Sequence, residues 1–260
     1  MPRDDGKALV AALDEVSPSA PTACAGWTAH DIVAHLAAGS KEIADLIEEK
    51  LTDQPVRPTR AFEDREPPFR ALPDNELRRA WAYHARRKTE AVKALGDLGE
   101  NATFEFTGTS LTADRISTHS RSEAAIHRWD IAGDDFTSAE LLAQPELTDH
   151  AVSVLNAMPI LFESSRARMG HGGRAPLHIV LRAPGQPDVV LGSDAEGNAR
   201  FELVDDGPAG GDAVVVTDPA DRLLVLWGRQ SSKRPAAIEA DPVTARAVSL
   251  VLWPAAVPWS

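Results

Sequence analysis

The hydrophobic period changes once along this chain, and that change limits what it can fold into. Up to about residue 168, apolar residues recur at i, i+3, i+4 and i+7, the signature of amphipathic helices. The clearest run is Thr28 to Leu51, with Ile32, His35, Leu36, Gly39, Ile43, Leu46 and Ile47 on one face. Thr28 is placed to cap it with Asp31 at N3, and Trp27 and Ile32 hold the hydrophobic-staple positions. Further helices are expected over Asp4–Val16, over Asp74–Leu98 with Leu77, Trp81, Val92 and Leu95 inward, and over Thr112–Ala132. One helix or two should span Ala139–Arg168, broken at Pro145 and Pro159. Thr52–Pro73, charged and proline-rich, reads as a long connection, and Phe104–Gly108 as a short extended piece.

Beyond a glycine- and arginine-rich linker at Ser164–Pro176, the runs become short and β-branched: 177–183, 188–191, 200–204 and 213–217. Asp218-Pro219 and Asp241-Pro242 each put an aspartate at an N-cap and a proline at N1, so each should open a helix. The expected class is mixed, α with α/β: a four-helix bundle over 1–168, then a small α+β domain over 174–260.

Composition excludes several functions. Hydrophobic residues make up 43% of the chain, enough for a packed core. A net charge of -12 is opposite to what nucleic acid or anionic lipid attracts. No apolar run approaches the roughly 20 residues of a membrane span, and Met1–Val10 holds no run of signal-peptide length. The single cysteine, Cys24, excludes an internal disulfide and a thiolate-rich metal site, and fits a reducing compartment. Cytoplasmic location is expected.

The Thr112–Ala132 helix is unusual. One stripe reads Ile116, His119, Ser120, Glu123, His127, Asp130 and is mostly polar, while Ala125, Ile126 and Trp129 form an apolar stripe. Polar groups turned toward neighbouring helices must be satisfied, because burying them unpaired is costly. Glu123 and His127 sit at i, i+4 on one face. With His35 from the second helix they form a His, His, Glu set of the kind that binds zinc with one coordination position open. His119 is a rival ligand. It lies eight residues from His127, roughly 12 Å along a helix, too far for both to bind one ion. His127 is preferred, with Asp130 on its stripe to orient a ligand or substrate, and His119 lining the cavity.

Two segments carry a family resemblance. Gly26-Trp27-Thr28-Ala29-His30-Asp31-Ile32-Val33-Ala34-His35-Leu36 and Glu123-Ala-Ala-Ile-His127-Arg-Trp129-Asp130 resemble two signatures of the mycothiol-dependent maleylpyruvate isomerase family. Val225-Leu226-Trp227-Gly228-Arg229 resembles a segment of that family's small C-terminal domain. The resemblance implies a DinB-like metal-binding bundle, with His35, Glu123 and His127 as ligands of zinc or another divalent metal. It also implies mycothiol as thiol cosubstrate, and an arginine of the C-terminal domain acting at the site. Arg229 and Arg222 are both candidates. After Arg229 the chain departs from the family pattern: Gln230-Ser-Ser-Lys233-Arg234-Pro235 follows, and Ile238-Glu239-Ala240-Asp241 replaces a glycine–aspartate segment.

The expected chemistry is that of a metal-activated thiol. A free thiol has a pKa near 8.5, and metal coordination deprotonates it. Its thiolate would add to the double bond of a maleyl-type acid, the new single bond would rotate, and loss of thiolate would give the trans isomer. Permanent attachment to an electrophile, S-transfer, uses the same site. A cation, Arg229 or Arg222, suits a dicarboxylate substrate. Asp130 joins them as a catalytic candidate, and His119 and Trp129 are assigned to cofactor binding. Cys24 reads as packing. Two other readings stand beside this one: a zinc hydrolase working through a metal-bound water, with Asp130 or His119 as base, and a non-catalytic binding module that keeps the bundle. The expected partners are a small thiol and a small electrophile, with the chain monomeric or a homodimer.

Overall fold

The computed structural model describes residues 5–173, 177–193, 198–205, 210–234 and 236–253. The chain separates into two compact units, one of residues 6–131 and one of the described residues from 132 onward together with Asp5.

The first unit is helical. Helix α1 (Asp5–Asp14) is followed by α2 (Ala29–Leu51). The expected cap on α2 is present: Thr28 Oγ1 accepts from Asp31 N at 3.3 Å, and Thr28 N donates to Asp31 Oδ2 at 2.9 Å. The apolar stripe of α2 includes Ala34, Ala37 and Ala38, small enough for neighbouring helices to approach closely. They pack with Leu9, Leu13, Phe69 and Leu77 in one cluster. The main partner of α2 is α5 (Asp74–Asp97), whose Leu77 and Leu95 are fully buried.

The Thr52–Pro73 stretch differs from expectation. It contains two single-turn helices, α3 (Phe62–Arg65) and α4 (Pro67–Arg70), with prolines in the first turn of α4. Glu42, fully buried on α2, anchors the approach to them. It accepts from Arg57 Nη1 at 2.6 Å and Arg60 Nε at 2.8 Å, and two cations offset its desolvation. The extended piece is one arm of a hairpin, β1 (Thr103–Phe106) with β2 (Thr109–Thr112). Thr107 and Gly108 both have positive φ, as a tight two-residue hairpin turn requires. Helix α6 therefore starts at Ala113 and runs to Ala132.

The second unit begins with three helices, α7 (Phe136–Leu142), α8 (Pro145–Ala157) and α9 (Pro159–His171). Pro145 and Pro159 open α8 and α9, where their missing N–H costs nothing. The expected linker starts too early, because 164–171 are helical; its 174–176 portion lies outside the described residues, as does Asp4. A five-stranded sheet follows in the order β5-β4-β3-β6-β7, from β3 (His178–Arg182), β4 (Asp188–Ser193), β5 (Ala199–Val204), β6 (Ala213–Val216) and β7 (Ala237–Glu239). Only β3 and β6 run parallel. Helices α10 (Pro219–Leu226) and α11 (Pro242–Leu252) start at Asp218 and Asp241, each of which caps its helix through its side chain.

The sheet explains why the unit boundary falls before α7 rather than at the linker. Asn156 of α8 pairs its amide with the backbone of Phe201 on β5, donating at 2.8 Å and accepting at 3.0 Å. Helices α8 and α9, expected in the bundle, instead contact β5 of the sheet. No helix among the described residues is long and apolar enough to cross a membrane.

Candidate metal centre

Three side chains from two helices converge in the first unit. Ligand atoms of His35 on α2 and of Glu123 and His127 on α6 all lie within 4.8 Å of one another. His35 Nε2 is 3.2 Å from Glu123 Oε2, and His127 Nε2 is 3.6 Å from the same oxygen. The i, i+4 spacing on α6 supplies the pair, and the packing of the bundle brings His35 to it.

Both imidazoles are oriented from behind. His127 Nδ1 lies 2.9 Å from Asp130 Oδ2, and His35 Nδ1 lies 2.7 Å from Glu66 Oε1. A carboxylate at Nδ1 keeps the proton there and leaves the Nε2 lone pair facing the shared centre. Glu66 is held in turn by Arg70, which donates from Nη2 at 2.8 Å and also pairs with Asp31. Two imidazoles and one carboxylate, with two carboxylates behind them, form a donor set suited to a divalent ion such as zinc, which would displace any proton held at Nε2.

The same contacts set the charges of these groups. Burial works to raise the Glu123 carboxyl, but hydrogen bonds from His127 and His35 and the charges of His119 and His127 hold it well below the usual range. Burial works to lower His127, but Asp130 and Glu123 carry it up to about 9. Glu66 is likewise lowered against burial, by His35 and Arg70. His119 is lowered by burial, with Lys88, His35 and Arg65 adding to the effect and Glu123 opposing it.

Aromatic rings wall the cluster. Trp27 is stacked on His127 (centroids 6.3 Å, 14°) and tilted against His35 (5.3 Å), and Phe62 stacks on His35 at 5.6 Å. A cavity of about 220 Å³ opens beside His35, lined by Trp27 and Phe62 and by Glu63, Glu66 and Arg70. The indole at this cavity is Trp27. Trp129 is 5% exposed and belongs to the core. Two residues beyond His127, it lies about 200° around the helix, on the opposite face. His119 meets Phe106 edge to face at 5.8 Å, one turn before Glu123.

The two candidate arginines belong to the second unit. Arg222 is 1% exposed; it donates to Pro187 O and Gln186 Oε1 and secures the β3–β4 turn. Arg229 is half-buried and donates to Trp227 O at 3.3 Å.

Sequence reasoning missed Glu66, Arg70, Arg65 and Lys88 at the site. The i, i+4 pair Glu66/Arg70 inside a long charged connection was the available signal, since such connections are usually functional.

A His–Glu–His cluster in a helical unit, followed by a unit built on a mixed sheet, defines a class of two-part protein with a candidate metal-dependent site. The family description "Mycothiol maleylpyruvate isomerase N-terminal domain" matches residues 3–132, and the chain belongs to that family. Two solved structures share its fold at a TM-score of 0.60, each alignment covering 90% of this chain and 88% of the other. They are crystal structures of the mycothiol-dependent maleylpyruvate isomerase, 15% identical, and of a histidine-to-alanine mutant of it, 16% identical. No curated protein matches the chain by sequence.

Proposed function

We propose that this chain is a zinc-dependent enzyme that uses mycothiol on a small electrophile, as an isomerase of a maleyl-type acid or as an S-transferase. The observation that carries the reading is the convergence of His35, Glu123 and His127, with the far nitrogen of each imidazole held by a carboxylate. His35, Glu123 and His127 would hold the metal. Bound zinc would supply a Lewis acid that makes a thiol ionise near neutral pH.

The protein's own groups do the rest. Glu66 and Asp130 fix the two imidazoles and act through them, so both are positioning residues. Trp27 and Phe62 wall the cavity with apolar surface. His119, on the polar stripe, remains assigned to the thiol; Trp129, expected beside it, is a core residue on the opposite face of α6 and is replaced at the cavity by Trp27. Arg229 and Arg222 both stay candidates for the C-terminal cation, since each donates to acceptors of its own unit. The cytoplasm fits a thiol-dependent activity. Asp130 is committed to His127 and buried, which disfavours it as the free base of a hydrolase.

Elemental analysis of natively purified protein, with a maleyl-acid turnover assay in the presence and absence of thiol, tests the reading. About one zinc per chain and strict thiol dependence are expected. Absence of metal even after zinc is added, or turnover without thiol, overturns it.

A further inference from the structure

Most cations around this site are paired. In the same helical unit, Arg57 and Arg60 pair with Glu42, Arg70 with Glu66 and Asp31, and Arg87 with Asp45 and Glu48. Arg65 and Lys88 are the exceptions. Arg65, on α3, is only 6% exposed. Of the five N–H donors of its guanidinium, one makes a long bond to Arg60 O at 3.4 Å, and Nε is buried with no partner. Lys88, on α5, points at α6, where its Nζ donates to Ser120 Oγ at 3.0 Å, one turn before Glu123. Neither cation has a carboxylate within ion-pairing distance among the described residues.

Both sit next to the metal cluster. The Arg65 guanidinium lies 4.3 Å over the Phe62 ring, and that ring stacks on His35. One aromatic layer therefore separates Arg65 from a metal-ligand imidazole. Arg65 feels the charges of Glu66 and Glu42, both already paired with other arginines, and then that of Glu123; Lys88 feels Glu123; and both cations act on His119.

Burying a cation without a carboxylate of its own in contact is costly. Glu123 is the carboxylate the two share, and a metal on Glu123 would take up its charge. We propose that Arg65 and Lys88 form an anion-binding locus beside the metal centre that receives a carboxylate of the electrophilic substrate. The planar fork of Arg65 matches a carboxylate, and the ammonium of Lys88 adds a compact second charge. The locus lies wholly in the helical unit, so it takes one carboxylate by itself and leaves a second carboxylate to the arginine of the second unit. That the anion is an electrophile rests on the function proposed above; the locus itself does not.

The test titrates maleate, and the uncharged dimethyl maleate, into the full-length protein without thiol, followed by calorimetry. Zinc content and circular dichroism are recorded for every variant. Maleate is expected to bind at least tenfold more weakly to Arg65→Gln and to Lys88→Met than to wild type, with zinc content unchanged and partial recovery in Arg65→Lys. Dimethyl maleate should bind poorly to all. Equal maleate binding by wild type and folded variants, or dimethyl maleate binding as well as maleate, overturns the proposal. Should Arg65→Gln not fold, Lys88→Met decides alone. If wild type holds no zinc but its maleate binding still depends on these residues, the enzyme reading fails and the locus stands.

Discussion

The two units handle buried charge differently. In the second unit, charges close on one another. Arg182 pairs with Asp188 at 2.8 Å and Arg234 sits among Asp134, Asp218 and Asp221, while Arg222, whose Nε has no partner, is held by two neutral oxygens of the β3–β4 turn. In the first unit, Glu66 and Asp130 point two imidazoles at Glu123, and two nearby cations lack a carboxylate partner. Buried charge that satisfies itself holds a fold together. Buried charge that converges on a shared point, with capacity left over, marks a place built for something else.

The contrast can be broken most severely at the ligands. His127→Ala should lose bound zinc and lower thiol-dependent turnover by more than about 100-fold, since ligand loss should exceed the 10–100-fold typical of an outer partner. Circular dichroism should be unchanged, and a variant that keeps its zinc would dissolve the contrast. Next comes Glu66→Gln. Without the carboxylate on His35 Nδ1, zinc affinity measured by chelator competition should fall about 10–100-fold. An unchanged affinity would reduce Glu66 to a packing residue.

Arg222→Met sharpens the comparison from the other side. It strips the β3–β4 turn of its charged donor and should cost about 2–3 kcal/mol in denaturant unfolding, with zinc content untouched. Arg229→Gln should do the reverse, lowering turnover at unchanged stability. The smallest effect concerns Asp221, whose carboxyl is pushed up to about 7 by burial and by Asp218 and Asp134, against the pull of Arg234. A folded-state pKa above the ordinary 3.8 means that the folded protein binds the extra proton between those values. Its cost is absent below about pH 4 and grows until it is complete above about pH 7. Asp221→Asn should match wild type near pH 4 and exceed it by on the order of 1 kcal/mol at pH 8. A difference that does not change with pH would contradict the assigned cause.

Much of the site was legible in the chain because helices are periodic. The i, i+4 spacing puts Glu123 and His127 side by side whatever surrounds them, and the capping box at Thr28 and Asp31 sets the phase of α2 and so the face of His35. Glu66, Arg65 and Lys88 were not legible. The single turns α3 and α4 are too short to carry a period, and the place of Lys88 depends on how α5 packs. Trp27, read as a hydrophobic staple, also covers the two imidazoles.

What the sequence alone determined is therefore local: the caps, the helical stripes, the change of period, and which residues share a face. Those follow from backbone geometry and nearest-neighbour chemistry. Tertiary structure decided which groups meet across elements: Glu66 behind His35, Trp27 rather than Trp129 at the cavity, and α8 bound to β5 through Asn156 so that the second unit starts at residue 132. Such meetings depend on the path of the whole chain and on which buried polar groups find partners, and no window of sequence contains that information.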